Sequence, residues 1–213
     1  MWKELENIFN DYDKIDATPK WQASVSLVLK DKNNPKLLII KRSTREDDPW
    51  SGHYGLPGGV VESNESFKQA AIRECHEELS LSLDAHHHIG QLDQVQVHKN
   101  KKPLPFIIHP FIFGIEEESS LNIIKDEAEV EEFYWLELQR LFHLDSMVVR
   151  NFTFGSENRD LPAIEIDGHI IWGLTYKILG SFLRRLYENP DNSNSLEIRK
   201  YLPESLAFWQ EYY

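Results

Sequence analysis

The hydrophobic pattern near the start of the chain predicts a pair of strands. Apolar and polar residues alternate over residues 23–30, ASVSLVLK, which is typical of a strand. Residues 36–43, KLLIIKRS, contain four consecutive apolar residues, as in a short strand that is buried on both faces. The intervening DKNNP is rich in turn-forming residues. The two segments are therefore expected to form a β-hairpin.

Further along the chain, the pattern predicts helices and strands in alternation. Three segments show helical periodicity: residues 2–14, 65–79 and 169–189. Three others have the composition of strands: residues 90–98, 105–115 and 131–138. Because there is no strict β-α-β repeat, this order favours a mixed α/β sandwich over a doubly wound parallel sheet.

The length of 213 residues fits one domain with appended helices. We expect an N-terminal helix within residues 1–18, a central domain over residues 19–190 and a C-terminal helical extension over residues 191–213. The polar linker DNSNS marks the start of that extension, and Pro203 is expected to interrupt its helix.

The charge balance narrows the class of partner. The formal net charge is −12, so nucleic-acid duplexes are poor partners. An anionic substrate is still compatible if a metal ion supplies positive charge. The single cysteine, Cys75, excludes a disulfide framework within the chain. With a polar N-terminus and no apolar stretch long enough for a bilayer, the sequence predicts a cytoplasmic protein with no membrane partner.

Three glutamates lie close together on the predicted helix over residues 65–79. Positions i, i+3 and i+4 are neighbours on a helix, so Glu74, Glu77 and Glu78 share one side. We expect that side to lie opposite an apolar face formed by Ile72, Cys75 and Leu79. Mutual repulsion and the helix dipole both disfavour this clustering. A divalent cation would relieve it, and an acidic solvated face is the alternative.

The residues before and within this helix follow a known spacing. Gly59 is followed after five residues by Glu65, and after seven more by RECHEELSL. This resembles the Nudix box, G-x5-E-x7-R-E-U-x-E-E-x-G-U, in which U is a bulky apolar residue. Ser80 stands where the pattern has glycine, and we expect it to affect only the turn after the helix. All five charged positions match: Glu65, Arg73, Glu74, Glu77 and Glu78.

The resemblance implies an α/β/α sandwich with a mixed sheet. It also implies hydrolysis of a diphosphate in a nucleoside diphosphate derivative, with Mg²⁺ or Mn²⁺ as cofactor. Glu74, Glu77, Glu78 and the carbonyl of Gly59 would bind the metal. Glu65 would be a supporting residue. The catalytic candidates would be Glu77, Glu78 and Arg73.

The identity of the general base is left open. Glu77 or Glu78 can serve as both ligand and base, or a glutamate from the loop KDEAEVEEFYW can take the proton. The alternative for this acidic run is a solvated loop. The loop candidates are Glu127 and Glu129, with Glu131 and Glu132 behind them.

The segment upstream of the box points to a subgroup. KRSTREDDPWSGHYGLPGG is similar to the coenzyme A pyrophosphatase signature L-L-T-x-R-S-x3-R-x3-G-x3-F-P-G-G. It departs from that signature in one extra residue before Gly52, in Asp47 at the place of the second arginine, and in Leu56 for phenylalanine. Coenzyme A or a related compound is therefore the first substrate candidate. The alternatives are ADP-ribose, a nucleotide sugar, a dinucleotide or an oxidised nucleotide, and a non-catalytic nucleotide-binding regulatory module.

The same segment supplies candidate substrate-binding residues. Arg42 can clamp phosphate oxygens with its guanidinium, or can simply end a strand at the surface. Arg45 is a second candidate of this kind. Trp50, His53 and Tyr54 can stack on or hydrogen-bond to a base, with packing against the sandwich as the alternative for Trp50.

The C-terminus bears on assembly. Nudix proteins are often dimers, so a homodimer is a candidate state of this chain. The aromatic residues near its end can pack on a partner subunit or back onto the domain: Phe208, Trp209, Tyr212 and Tyr213.

Overall fold

The structure is a computed structural model that describes residues 2–15, 19–46, 50–83, 88–99, 102–115, 122–154 and 156–189. The proposed C-terminal extension and Asp47 lie outside these ranges. The helices are α1 (Trp2–Ile8), α2 (Phe67–Leu79), α3 (Leu138–Leu141) and α4 (Gly173–Glu188), and Leu144–Ser146 form a 3-10 turn. The strands are β1 (Trp21–Lys30), β2 (Lys36–Arg42), β3 (Tyr54–Gly55), β4 (Gly58–Val60), β5 (His88–Gln91), β6 (Val95–Lys99), β7 (Lys102–Ile115), β8 (Val130–Glu137), β9 (Met147–Phe154), β10 (Glu157–Ile166) and β11 (His169–Trp172).

The larger sheet is mixed, as the sequence predicts. Its central pair, β1 and β7, runs parallel from the pair Trp21–Phe106 to the pair Lys30–Ile115. The other described strand pairs of this sheet are antiparallel, including the predicted β1–β2 hairpin. Strands β9, β10 and β11 form a separate antiparallel sheet.

Strands β1 and β2 separate beyond their hairpin, and a third segment lies between them. Close to the turn they pair directly, through Leu29 and Leu37. Farther away, β1 pairs with β4 and β2 pairs with β3. We call residues 54–60, which include both short strands, the wedge segment. It gives backbone partners to both separated strands and opens one end of the sheet.

The larger sheet has an apolar core on each face. Leu27 and Leu29 of β1 join the core that contains α1, α4 and the smaller sheet. Val28, which points to the opposite face, joins the core beneath α2. This arrangement of helix, sheet and helix confirms the α/β/α sandwich.

The polar positions of β1 are not exposed. Ser24 and Ser26 have no accessible surface, although alternation in a strand usually marks a solvent face. The hydroxyl of Ser26 donates a 2.9 Å hydrogen bond to the carbonyl of Ala71 in α2. Small side chains on this face therefore let α2 lie close to the sheet.

Helix α2 has well-defined ends. Ser66 and Gln69 form a capping box, so the helix begins at Phe67 and Glu65 lies before it. At the other end, Ser80 adopts a φ of 51° and donates its backbone N–H to the carbonyl of His76. The serine that replaces glycine therefore occupies the turn after the helix, in a conformation that favours glycine.

Three sequence predictions differ from the structure. The helix predicted over residues 2–14 ends at Ile8, and residues 9–15 are not helical. The predicted strand over residues 90–98 consists of two strands, β5 and β6, which pair with successive parts of β7 and are interrupted at residues 92–94. The helix predicted from His169 begins only at Gly173, since residues 169–172 pair with β10 as strand β11. The sequence pattern predicts no element for residues 142–168, which contain β9 and β10. None of the described helices has the length and apolar character needed to cross a membrane.

We predict that the wedge segment tolerates no side chain at Gly58. A Cβ there would lie 2.2 Å from the carbonyl oxygen of Ser24, and the φ of 153° adds backbone strain. Gly58→Ala should lower the free energy of unfolding by about 3 kcal/mol or more, measured by urea denaturation. Gly168→Ala is the matched control, because Gly168 has a φ of 83° but nothing within 4 Å of a Cβ. Equal stability of the two variants would contradict the close approach.

Candidate active site

The candidate site lies where α2 faces the wedge segment. The backbone N–H of Gly58 donates a 3.0 Å hydrogen bond to the carboxylate of Glu78. A Cβ on Gly59 would lie 2.5 Å from the carboxylate of Glu74. The two glycines thus leave the space in which both carboxylates lie against the backbone.

Arg73 connects the exposed side of the site. Its guanidinium binds Glu65 through two hydrogen bonds of 2.7 and 3.0 Å. It also donates to Glu74 at 2.9 Å, to Glu77 at 2.8 Å and to the carbonyl of Val60 at 3.1 Å. The hydrogen bonds from Arg73 lower the pKa of Glu65. Arg73 thus joins Glu65, Glu74 and Glu77 into one hydrogen-bonded group.

Glu78 is buried, and this corrects the predicted helix face. Its side chain is 1% exposed, whereas that of Glu77 is 54% exposed. Glu78 follows Cys75 by three residues, and a step of three residues ends about 60° short of a full helical turn. Glu78 therefore lies beside Cys75 rather than opposite it. The prediction that all three carboxylates face away from Cys75 and Leu79 is therefore wrong for Glu78.

Burial changes the protonation of two of the carboxyls. Loss of solvent raises the pKa of Glu78 to about 8, although the Gly58 N–H and Arg42 act in the opposite direction. Burial also raises the pKa of Glu74 against the effect of Arg73. The fixed groups around the site therefore do not fully compensate its negative charge.

The carboxylates of the site suit a divalent cation, although their oxygens do not converge on one point. Carboxylate oxygens are the ligands that hard cations prefer, and the buried acid lacks sufficient positive charge. Over the described part of the chain, no three carboxylate, imidazole or thiol groups converge on one point. Arg73 instead holds Glu74 and Glu77, and the wedge segment holds Glu78.

Of the four loop glutamates, Glu129 is the one linked to the site. Besides burial, the main cause, the charge of Glu129 contributes to the raised pKa of both Glu74 and Glu78. Glu127 is 86% exposed and lies 3.8 Å from Lys125. The other two lie on β8, where Glu131 pairs with Lys41 at 2.5 Å and Glu132 is exposed.

Residues 126–129, which we call the acidic turn, are held by residues 42–45, which we call the Arg-Ser segment. The backbone N–H of Ser43 donates to the carbonyl oxygen of Glu129, and its hydroxyl donates to the carbonyl oxygen of Glu127. Both hydrogen bonds are 2.9 Å long. Arg45 donates to the carbonyl of Ala128 and lies 3.5 Å from the Glu129 carboxylate. The backbone N–H of Asp126 donates to the carbonyl of Glu78. Arg45, a candidate for substrate binding, thus contacts the acidic turn.

Arg42 lies at the other side of Glu78. Its guanidinium is 3.7 Å from the Glu78 carboxylate and 28% exposed. Its backbone N–H donates to the carbonyl of His53 at 3.0 Å. A cationic side chain is therefore next to the acidic site, at the end of β2.

The aromatic candidates for substrate binding lie in two different places. Trp50 packs edge-on against Phe106, with 6.3 Å between ring centroids. His53 and Tyr54 instead line a cleft with Phe152, Phe154 and Trp172 of the smaller sheet. Sequence reasoning missed these three, because Trp172 was assigned to a helix and the alternation of Phe152 with Phe154 was not used.

Comparisons with known proteins identify the relatives of this chain. Residues 20–155 match the family model of the NUDIX domain. An uncharacterised protein from Schizosaccharomyces pombe is 33% identical over 129 residues, which cover 59% of this chain and 37% of that protein. A protein named ADP-ribose pyrophosphatase from Methanocaldococcus jannaschii is 44% identical over 46 residues, covering 22% of this chain and 25% of that protein. The match thus spans well under half the length of either relative.

A solved structure shows the same fold. The MutT/nudix family protein from Enterococcus faecalis superposes with a TM-score of 0.56 at 18% sequence identity. The match covers 86% of this chain and 70% of that one. At this identity the likeness concerns the fold alone.

We predict that Glu78 makes the stability of the metal-free protein depend on pH. Its pKa is above the ordinary 4.5, so between pH 4.5 and about 8 the folded state keeps a proton that the unfolded chain releases. Stability is therefore lost as the pH rises through this window. Glu78→Gln keeps an acceptor for Gly58 but carries no charge, so it should exceed the wild type at pH 8 by on the order of 3 kcal/mol.

The measurement is urea denaturation at pH 5 and pH 8 with a chelator present. At pH 5 the wild type and Glu78→Gln should be much closer in stability. Glu77→Gln is the control, since the exposed Glu77 side chain loses little contact with solvent on folding. Parallel pH dependence in wild type and Glu78→Gln would show that Glu78 is not the buried acid described here.

Proposed function

The chain belongs to the NUDIX domain family, and on this premise we propose that it is a hydrolase of nucleoside diphosphate derivatives that requires a divalent metal. The observation that carries the proposal is the buried carboxylate of Glu78 at Gly58, next to the Glu74 carboxylate that packs against Gly59. A site of this kind combines oxygen ligands with uncompensated negative charge.

Each residue of the site has a proposed role. Glu74, Glu77, Glu78 and the carbonyl of Gly59 hold Mg²⁺ or Mn²⁺. When bound, the metal neutralises phosphate charge and makes water a better nucleophile. Arg73 orients Glu74 and Glu77, and Glu65 fixes Arg73 from its other side.

Glu129 is the proposed general base among the loop glutamates. The hydrogen bonds that hold the acidic turn against Glu78 and Ser43 support this role, and so does the effect of the Glu129 charge on Glu74 and Glu78. Glu129 takes a proton from the water that attacks the diphosphate, and the leaving phosphate departs from the opposite side. Glu77 and Glu78 remain the alternative bases.

Arg42 is the proposed contact for the phosphates. It lies beside the acidic site, and a partly exposed guanidinium can donate to two phosphate oxygens at once. Arg45 is better suited to positioning, because its guanidinium is engaged by Ala128 and Glu129.

Two substrate classes follow from different observations. Coenzyme A or a related compound is the first candidate, on the basis of the Arg-Ser segment and the Pro57–Gly59 turn. ADP-ribose is the second candidate, because the relative from Methanocaldococcus jannaschii carries the name ADP-ribose pyrophosphatase. Both contain a diphosphate joined to a nucleoside, so the same acidic site serves either.

We predict metal-dependent cleavage of at least one nucleoside diphosphate derivative. The assay incubates the protein with coenzyme A, ADP-ribose, nucleotide sugars and dinucleotides, with Mg²⁺, Mn²⁺ or chelator, and identifies products by mass. Coenzyme A should give 3′,5′-ADP and 4′-phosphopantetheine. Glu77→Gln and Glu78→Gln should each lower kcat by orders of magnitude, because each removes a charged ligand from the metal site.

The outcomes of this assay separate the hypotheses. If ADP-ribose is cleaved and coenzyme A stays intact, ADP-ribose replaces coenzyme A as the proposed substrate. No cleavage of any compound would leave a nucleotide-binding module without activity and overturn the proposed enzyme. Wild-type turnover by either glutamine variant would remove that residue from the metal site.

We predict that Glu129 and Glu127 differ sharply although they are two residues apart. Glu129→Gln should lower kcat by about 10²- to 10⁴-fold, the usual effect of losing a general base. Glu127→Gln is the matched control and should keep wild-type turnover, because the Glu127 side chain is 86% exposed and pairs with Lys125. Steady-state kinetics on the best substrate decide the result, and equal effects of the two variants would reject Glu129 as base.

A further inference from the structure

An aromatic cleft lies between the wedge segment and the smaller sheet. Its volume is about 440 Å³, within the range of small-molecule binding pockets. Strands β9 and β11 contribute one wall, and the chain around β3 contributes the other. The side chains that matter here are His53, Tyr54, Phe152, Phe154, Ile170 and Trp172.

The chemistry of the cleft suits an uncharged planar group. Among the described residues that line it there is no lysine, arginine, aspartate or glutamate. Phosphate would therefore find no charged partner inside the cleft itself. Aromatic side chains offer flat apolar surfaces on which a ring can stack.

The rings hold each other in place. Trp172 stacks on Phe152 with 4.2 Å between centroids and meets the edge of His53 at 4.8 Å. Phe154 lies edge-on to Trp172 at 5.8 Å and is 40% exposed. A ligand that enters this cleft therefore meets surfaces that are already ordered, which lowers the entropic cost of binding.

The cleft and the candidate active site share the chain that connects them. The carbonyl of His53 accepts the N–H of Arg42, and the Arg42 guanidinium lies 3.7 Å from Glu78. Tyr54, on the cleft, begins the wedge segment that reaches the acidic site at Gly58. Recognition by this cleft therefore requires one ligand to place a charged group at the acidic site and an uncharged ring in the cleft.

We propose that the aromatic cleft binds the nucleobase of the substrate, with Phe152, Phe154 and Trp172 as its specificity-determining residues. The proposal rests on the proposed hydrolysis of nucleoside diphosphate derivatives. Stacking rings distinguish a flat base from a linear apolar arm, because only the base presents a π-face to them.

The experiment compares AMP with ribose 5-phosphate, which share the phosphate and the sugar and differ in the base. Binding of each to the full chain with Mg²⁺ is measured by isothermal titration calorimetry. Because stacking of one base typically changes affinity by about 5- to 150-fold, AMP should bind more tightly by a factor in that range.

The variants locate the effect. Phe154→Leu should remove most of the advantage of AMP and leave the affinity for ribose 5-phosphate unchanged, because Phe154 is at the cleft and partly exposed. Trp172→Leu should do the same. Tyr187→Leu is the control, since Tyr187 is a similarly exposed aromatic residue on α4. It should keep the full advantage.

Each other outcome has a clear meaning. Equal binding of AMP and ribose 5-phosphate, or an unchanged preference in Phe154→Leu, would overturn the proposal. Displacement of AMP by 4′-phosphopantetheine at lower concentration would assign the cleft to a linear arm and also overturn it. A preference for AMP that depends on Phe154 would support the cleft even if no diphosphate is cleaved. The absence of cleavage would then count against the proposed hydrolysis and not against the cleft.

Discussion

The burial of the Glu78 carboxylate is the constraint on which the site depends. A carboxylate inside a protein is costly unless hydrogen bonds and positive charge compensate it. Here the compensation is one N–H from Gly58 and a guanidinium at 3.7 Å, and the pKa of Glu78 stays well above its usual range. The N–H can reach the carboxylate only because the wedge segment separates β1 from β2. The strand arrangement of the sheet therefore determines the electrostatics of the site.

Arg73 does not relieve this constraint, although it is the most connected cation nearby. Its hydrogen bonds go to Glu65, Glu74 and Glu77 on the exposed side of α2. The acidic turn adds a further negative charge, since Glu129 raises the pKa of both Glu74 and Glu78. Charge is thus arranged so that carboxylates are kept oriented but not neutralised. This arrangement is what a site for a divalent cation requires.

The sequence was sufficient for the local parts of this arrangement and insufficient for the tertiary ones. Spacing along the chain predicted the helix and the glycine turn, and the family resemblance implied a supporting role for Glu65. Spacing misplaced Glu78, because it grouped that residue with Glu74 and Glu77 although Glu78 lies beside Cys75 on the helix, and the Gly58 contact 20 residues earlier was not predicted. It could not separate Glu129 from its acidic neighbours, because the contacts that hold the acidic turn come from Ser43 and Glu78, which are distant in the sequence. Strand β9 is mostly exposed, so its apolar pattern was too weak to predict it.

The chemistry and the proposed recognition lie on different layers of the sandwich. The carboxylates belong to α2 on one face of the larger sheet, whereas Phe152, Phe154 and Trp172 belong to the smaller sheet on the other side. The wedge segment reaches both, because it carries Tyr54 at one end and Gly58 near the other. Changes in the smaller sheet can therefore alter which ligand is held without moving a carboxylate. By the same reasoning, a change in the wedge segment affects stability, chemistry and recognition together.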